Sequence, residues 1–324
     1  MRRMISYGAA VVLAGWAAAV VAQERLPPPP PPPPPEGAPT TPALERLIEG
    51  KGRVERIDTG FQAADGIVWT AANVLVFTDP PRGEVLRWHE AGAARVARRD
   101  SGGAAGLALD GEGRLLEAER AARRVVRISD DTVTVVLDQV NGAALGGPTD
   151  LAVAASGALY VADTAPSGGR VILVRPGGEA SVVASDLTRP AGLALSLDGA
   201  TLFVTDAVKA ELRAYPVLAD GRLGSGRMLA AIRPWKRGVY GRPDGLAMDR
   251  DGRLYLAGPG GVWVMDEHGG RLGVIATPET PSACTFGDPD HKTLYLTAEN
   301  GVYKVRLTVA GADRPALPPG ATGQ

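Results

Sequence analysis

The chain has 324 residues, with 35 Lys or Arg and 36 Asp or Glu, so its formal net charge at pH 7 is −1. A balanced charge gives no field that would attract nucleic acid or an anionic membrane, so we expect neither as a partner. The 42 glycines favour short strands joined by tight turns, and the single cysteine excludes an intrachain disulfide. We expect Cys284 to be a buried apolar side chain rather than a reactive thiol.

The N-terminal residues 1–22 are predicted to be a signal peptide. Arg2 and Arg3 precede an apolar stretch, and small residues close it at Val20 and Ala22. An uncleaved anchor helix is the alternative, since about 17 to 25 apolar residues span a bilayer. Cleavage would leave a periplasmic or secreted protein with no membrane segment.

Both flanks of the predicted folded region are rich in proline. Residues 23–51 form a predicted linker whose nine prolines at 27–35 favour an extended polyproline II spacer. Residues 308–324 form a tail that we expect to be disordered. The folded domain is therefore predicted to span residues 52–307.

An internal repeat dominates this domain. Its clearest element is a short apolar strand, found at residues 65–69, 105–109, 149–153, 191–195, 244–248 and 282–286. The intervals between successive starts are 40, 44, 42, 53 and 38 residues. A four-stranded propeller blade needs about 40 to 50 residues. Residues 232–237 lie in the longest interval and are a candidate cover for one end of the channel.

Each copy continues through a turn into a second and then a third strand. The second strands start at residues 75, 115, 159, 202, 254 and 294, and the third at 85, 125, 171, 212, 262 and 302. The sequence has no helical period that would join parallel strands, so it predicts an all-β fold. A solenoid would need special caps, whereas residues 53–57 can close a six-bladed β-propeller of four-stranded blades by completing the last blade.

The residue that opens each innermost strand should lie in a ring around one mouth of the central channel. The ring consists of Asp65, Ala105, Thr149, Ala191, Asp244 and Ser282. Two carboxylates facing a shared axis repel each other, and a divalent cation with oxygen ligands would neutralise them. Asp-Gly pairs also form turns, so a purely structural role stays open for Asp65 and Asp244.

Other polar residues are assigned structural roles. Carboxylates at the ends of four second strands are expected to accept backbone N–H bonds in turns rather than to act in catalysis. They are Asp79, Glu119, Asp163 and Asp206. The three histidines, His89, His268 and His291, are expected at the solvated surface.

Residues 61–305 resemble the senescence marker protein/gluconolactonase/regucalcin family. The resemblance rests on residues 65–69, 82–88, 113–116, 123–125, 242–246 and 292–297. It implies a divalent metal, Ca²⁺ or Zn²⁺, held at the channel mouth by an acid from the first blade, an Asn from the fourth and an Asp from the fifth. Asp65 and Asp244 match the two acids, and Ala191 replaces the Asn.

The resemblance implies hydrolysis of a sugar lactone or related small ester by a metal-activated water. Asp65 and Asp244 would bind the metal, and Asp244, Thr149 and Asp150 would form the catalytic group, with Thr149 replacing a family Asn. The alanines keep two alternatives open. One is a non-catalytic periplasmic binding or scaffold propeller, and the other is a strictosidine-synthase-like or arylesterase-like enzyme with an apolar pocket.

Overall fold

A computed structural model describes residues 29–50, 54–90, 92–130 and 132–312. The predicted signal peptide lies outside the described residues. Within the described ranges, no helix is long and apolar enough to cross a membrane. The prolines at 31–35 belong to no helix or strand.

The fold consists of six antiparallel four-stranded sheets, the blades of a β-propeller. Blade six takes its outermost strand β1 (Glu55–Thr59) from the beginning of the domain. Blade one contains β2 (Asp65–Trp69), β3 (Leu75–Asp79), β4 (Glu84–Trp88) and β5 (Arg95–Arg98). Blade two contains β6 (Ala104–Leu109), β7 (Leu115–Glu119), β8 (Arg124–Ser129) and β9 (Thr132–Leu137). A short hairpin of β10 (Gln139–Val140) and β11 (Ala143–Ala144) follows.

The remaining blades repeat this order. Blade three contains β12 (Pro148–Val153), β13 (Leu159–Ala165), β14 (Gly168–Val174) and β15 (Ala180–Leu187). Blade four contains β16 (Pro190–Leu195), β17 (Thr201–Asp206), β18 (Glu211–Pro216) and β19 (Arg227–Ala231). Blade five contains β20 (Leu246–Met248), β21 (Leu254–Gly258), β22 (Gly261–Met265) and β23 (Arg271–Ala276). Blade six starts with β24 (Pro281–Gly287), β25 (Thr293–Ala298) and β26 (Gly301–Arg306).

Closure of the circle occurs as the sequence predicted. Strand β1 pairs with β26, with Thr59 opposite Gly301, so the first strand of the domain completes the last blade. Each innermost strand contacts the innermost strands of both neighbouring blades, and β2 contacts β24 where the circle closes. The prediction of an all-β, six-bladed propeller is therefore confirmed.

Apolar packing between neighbouring blades forms the core. Six buried clusters occupy the six interfaces. Between blades six and one, the rings of Trp69 and Tyr295 stack with their centroids 5.3 Å apart. Strands with both faces buried against neighbours read as nearly continuous apolar runs, which explains why the repeat is so visible in the sequence.

The packed part of the chain extends beyond the predicted limits of 52 and 307. Helix α1 (Pro42–Leu47) is capped at its N-terminus by Thr41, whose hydroxyl accepts a hydrogen bond from the Leu44 N–H at 3.3 Å. Leu44 and Leu47 are buried in the cluster between blades five and six. At the other end Val309 and Ala310 are buried, and the structure describes the predicted tail as far as residue 312.

Glycines allow the innermost strands to approach one another closely. A Cβ on Gly66 would lie 1.9 Å from the carbonyl oxygen of Ala105, and one on Gly192 would lie 2.3 Å from that of Asp244. Such contacts leave no room for a side chain. This is why the residue after the ring position is glycine in four of the blades, Gly66, Gly106, Gly192 and Gly245.

Candidate functional site at the channel mouth

The predicted ring lies at the end of the channel where the innermost strands begin, which we call the mouth. Five of its six members, all except Ala105, line a cavity of about 80 Å³. The ladders of blades one, two, three, four and six shift register at this level. Such bulges redirect side chains next to functional sites. In blade five, Asp244 precedes β20 and its N–H donates to the Ala257 carbonyl at 2.9 Å.

Three carboxyl groups share this cavity, those of Asp65, Asp150 and Asp244. Burial raises the pKa of Asp65 to about 6, although Arg120 and Arg189 act in the opposite direction. Burial also raises the pKa of Asp150 to about 7. The pKa of Asp244 is raised well above its ordinary value by burial and by the charges of the other two aspartates. At neutral pH the cavity therefore holds carboxyl groups in both protonation states.

Asp150 occupies the position that is glycine in four other blades, and it places a carboxylate among closely packed strands. Its Oδ2 accepts a hydrogen bond from the Leu193 N–H of the next blade at 2.8 Å. Its Oδ1 would lie 2.8 Å from a Cβ on Gly106 of the preceding blade. The carboxyl group therefore spans the gap between blades, hydrogen-bonded to the following blade and close to the backbone of the preceding one.

The hydroxyl groups at this level join the blades. Thr149 donates to the Pro190 carbonyl at 2.9 Å, and Ser282 donates to the Ala64 carbonyl at 2.6 Å. Thr78 and Thr205 make equivalent bonds to the next blade. Because backbone carbonyls take the hydroxyl proton of Thr149, its oxygen is available to a water or substrate only as an acceptor.

The carboxylates at the ends of the second strands are fully buried. As predicted, Asp79 accepts from two backbone N–H groups, Asp163 from those at 146 and 147, and Asp206 from four. Glu119 differs because the guanidinium groups of Arg98 and Arg124 occupy its two oxygens. These groups fix the loops of the mouth rather than face the cavity.

Sequence reasoning did not identify Arg120 and Arg189, whose charges act on both Asp65 and Asp244. The stem of Arg120 passes over Gly147, with Cγ 3.4 Å from the position of a Cβ there. The backbone of Arg189 is fixed by the bond from its N–H to Asp206 at 3.3 Å. Neither guanidinium forms a hydrogen bond or ion pair with a described residue. The sequence signal was the Arg-Pro pair at 189–190, which matches the pair at 242–243 before Asp244.

The loops at the two ends of the channel differ in charge. The mouth loops contain the bases Arg82, Arg99, Arg120, Arg123, Arg189, Lys209, Arg233, Lys236, Arg237 and Arg242, and the acids Asp100, Asp138, Asp244, Glu279 and Glu299. The described loops at the opposite end contain the acids Glu90, Asp110, Glu112, Asp130, Glu179, Asp198, Asp220, Asp249, Asp251, Asp266, Glu267, Asp288 and Asp290, and the bases Arg114, Arg175, Arg222, Arg250, Arg253 and Lys292. The near-zero net charge thus conceals a difference between the loops, which are basic at the mouth and acidic at the opposite end.

The described residues do not fit the divalent cation that the resemblance predicts. No three His, Cys, Asp or Glu side chains in the described ranges converge closely enough to hold a metal ion. Ala191, at the position of the third family ligand, offers no side-chain donor. Calcium takes six to eight oxygen ligands. Two guanidinium groups already act on Asp65 and Asp244, and their positive charge opposes that of a cation.

Of the remaining sequence candidates, the histidines lie away from the mouth cavity and Cys284 lines it. The histidines all fall on loops at the opposite end, where His89 and His268 are exposed and His291 is half-buried. Cys284 is buried, its thiol contacts the Tyr255 carbonyl at 3.2 Å, and burial raises its pKa to about 12. It therefore behaves as a packed apolar group, as expected.

This geometry defines a six-bladed propeller with a cavity that contains three carboxyl groups, at a channel mouth whose loops are mainly basic. The profile of the SMP-30/gluconolactonase/LRE-like region matches residues 63–300. Because that match covers most of the chain, the protein belongs to this family.

Individual relatives carry lactonase names. The gluconolactonase of Zymomonas mobilis is 28% identical over 309 residues, 84% of this chain and 86% of the relative. The 6-deoxy-6-sulfogluconolactonase of Pseudomonas putida is 35% identical over 135 residues, 41% of this chain and 45% of that protein.

Solved structures support the same fold. The gluconolactonase of Xanthomonas campestris aligns with a TM-score of 0.76 at 29% identity, over 86% of this chain and 95% of its own. A calcium-binding regucalcin from Agrobacterium tumefaciens aligns with a TM-score of 0.66 at 19% identity, over 79% and 93%. At that identity the regucalcin likeness shows the fold alone.

Proposed function

We propose that the protein hydrolyses a sugar lactone or a related small ester at the channel mouth. The observation that carries the proposal is the cavity in which Asp65, Asp150 and Asp244 meet with raised pKa values. Carboxyl groups whose pKa values differ in one water-accessible site can divide the roles of general base and general acid. The names of the Zymomonas, Xanthomonas and Pseudomonas relatives support a lactone as the substrate.

The mechanism assigns the base to Asp65, whose pKa of about 6 leaves it ionised at neutral pH. Asp65 takes a proton from water as the water oxygen attacks the lactone carbonyl carbon. The bond between that carbon and the ring oxygen then breaks, and the ring oxygen leaves as a hydroxyl group. Asp244, whose raised pKa favours the protonated form, supplies the proton for that oxygen. The product is an open-chain hydroxy acid.

Asp150 and Thr149 then act as positioning residues. Asp150 is fixed by the Leu193 N–H and raises the pKa of Asp244 by its charge. The Thr149 oxygen, with its proton held by the Pro190 carbonyl, can accept a hydrogen bond from the attacking water.

The test is lactone hydrolysis by the purified protein, followed in a pH-stat with D-glucono-δ-lactone and subtraction of the spontaneous rate. General acid–base groups contribute about 10²–10⁴-fold, so Asp65→Asn and Asp244→Asn should each lower kcat by at least about 10²-fold. The matched control is Glu267→Gln, an exposed acid at the opposite end of the channel. Equal loss in the control, or full activity in both aspartate variants, would refute the assignment.

A metal-activated water, with Ca²⁺ or Zn²⁺ between Asp65 and Asp244, is the finer form predicted from the family resemblance. The described residues do not fit such a metal, so the steps proposed above use only protein groups and water. Metal analysis of the dialysed protein, with Asp244→Ala as the comparison, tests this form. Near-stoichiometric metal that is lost in the variant would support it.

A second candidate is a periplasmic propeller that binds a small molecule without changing it. Ala105 and Ala191 favour this function, because one-third of the ring offers no polar side chain. Saturable binding of a lactone without hydrolysis, measured by calorimetry and the pH-stat assay together, would select this candidate.

A further inference from the structure

Arg120 and Arg189 lie on mouth loops next to the ring: the stem of Arg120 passes over Gly147, two residues before Thr149, and Arg189 lies two residues before Ala191. Arg120 and Arg189 belong to different blades, and each influences both Asp65 and Asp244. Neither forms an ion pair with a described residue, whereas Arg98, Arg124 and other arginines do. Guanidinium groups left open beside a binding cavity are suited to carboxylate, sulfonate or phosphate oxygens.

The backbone around these two residues is firmly held. The Arg120 N–H donates to the Gly103 carbonyl at 3.2 Å, and Arg189 donates to the buried carboxylate of Asp206. The Arg189 carbonyl also accepts from the Ala207 N–H at 2.9 Å. A fixed backbone lowers the entropy lost when a charged side chain engages a ligand.

The wider mouth has the same sign of charge. Arg233, Lys236 and Arg237 lie on the long loop that leads to Asp244, and Arg242 precedes it by two residues. Of the mouth-loop acids, Glu279 and Glu299 lie next to and within blade six, whereas Asp100 and Asp138 lie on the loops before and after blade two, the blade of Arg120. A channel with a basic mouth and an acidic opposite end steers anions to the mouth. A neutral sugar lactone would gain nothing from this arrangement.

We infer that the substrate is a lactone with a fixed negative charge, a carboxylate, sulfonate or phosphate, which Arg120 and Arg189 recognise at the mouth. The inference rests on the proposed lactonase function and adds the class of substrate to it. The guanidinium groups bind the charged substituent, while the aspartates act on the ring. They are specificity residues and exchange no proton with the substrate.

The experiment compares kcat/KM for D-glucarolactone, which carries a carboxylate, with that for the neutral D-glucono-δ-lactone. We expect the wild type to favour D-glucarolactone by at least about tenfold. The Arg120→Gln/Arg189→Gln double variant should lose about tenfold or more with D-glucarolactone, mainly through KM, and change less than about twofold with the neutral lactone. Arg250→Gln, at an exposed arginine of the opposite end, is the matched control.

The outcomes separate this inference from the proposed function. Equal use of both lactones by the wild type, or an unchanged preference in the double variant, would overturn the inference and leave the lactonase standing. If neither lactone is hydrolysed, calorimetry with D-glucarate tests whether the two arginines bind an anion. Binding that the double variant loses would support the anion site, and no binding would overturn it. Competition by inorganic sulfate and by phosphate indicates which anion fits best.

Discussion

Burial raises the pKa of Asp65, Asp150 and Asp244, so these three groups lower the stability of the fold at neutral pH. A carboxylate whose pKa is raised in the folded state holds a proton that the unfolded chain releases. Active sites commonly accept such a cost, and replacing the charged group then stabilises the fold.

This cost is measurable at Asp150, whose pKa rises to about 7 by burial. The pKa of Asp in an unfolded chain is about 3.9. The free energy of unfolding therefore falls as the pH rises from about 4 to about 7. Asp150→Asn removes this dependence and keeps an acceptor for Leu193. The variant should melt higher than the wild type at pH 8 and no higher at pH 4. An equal difference at both pH values would contradict the raised pKa.

The pH dependence of the reaction follows from Asp65 and Asp244. We expect kcat/KM to rise as the pH rises through about 6, because the Asp65 base must be ionised. At higher pH it should fall as Asp244 loses its proton. The rate profile of the wild type checks both limbs, and Asp65→Asn should remove the acid limb. A rate that stays flat across the acid range would argue against Asp65 as the base.

Asp206 connects stability to the position of Arg189. Its carboxylate accepts four backbone N–H bonds, including that of Arg189. Asp206→Ala should cost about 3 kcal/mol, the upper end for unsatisfied buried donors, and should raise KM for an anionic lactone. Asp198→Ala, at a solvated turn carboxylate of the opposite end, should shift the unfolding midpoint much less in the same denaturant titration.

At this scale the sequence predicted the ring because repeated strands place equivalent residues at equivalent heights. Asp65 and Asp244 were therefore found from spacing alone. Arg120 and Arg189 were not, because they lie on loops, where the position of a side chain depends on turn geometry and has no period. The predicted hydrogen bonds of Asp79, Asp163 and Asp206 follow from turn chemistry, which is local and readable.

Among the structural elements, the innermost strands matter most for the site, and glycine sets their spacing. Gly66→Ala places a methyl group against the Ala105 carbonyl and should destabilise the fold by about 1–3 kcal/mol. The matched control is Gly177→Ala, in a turn with nothing within 4 Å, which should change stability by less than about 0.5 kcal/mol. Denaturant unfolding of both variants checks the difference, and equal effects would contradict the close approach.

The sequence located the innermost strand of each blade to within a residue or two, because both faces of these strands are apolar and turn residues bound each strand. Helix α1 was missed because six residues show too little periodicity within a proline-rich segment. Its burial appears only when blades five and six are in place. Leu44→Ala should therefore cost about 2–5 kcal/mol, whereas Leu218→Ala at an exposed position should cost little. Equal melting temperatures for the two variants would show that α1 does not support the fold.

At the scale of the whole molecule, the loops at the two ends of the channel differ in charge, although the acidic and basic residues of the chain are nearly equal in number. Composition alone could not show this, since loops at opposite ends alternate along the chain. The arrangement implies a salt dependence, because added salt screens the attraction between the mouth and an anion. Between about 0.05 M and 0.5 M NaCl, kcat/KM for D-glucarolactone should fall severalfold while the value for the neutral lactone stays constant. A parallel response of both substrates would contradict electrostatic steering.

The most direct test of the account is a crystal structure of the protein soaked with D-gluconate or D-glucarate, the open-chain products of the two lactones. We expect a bound hydroxy acid in the mouth cavity between Asp65 and Asp244, with a carboxylate of D-glucarate on Arg120 or Arg189. Product bound at the opposite end of the channel, or a mouth that stays empty at saturating product, would contradict the claim that this cavity is the functional site.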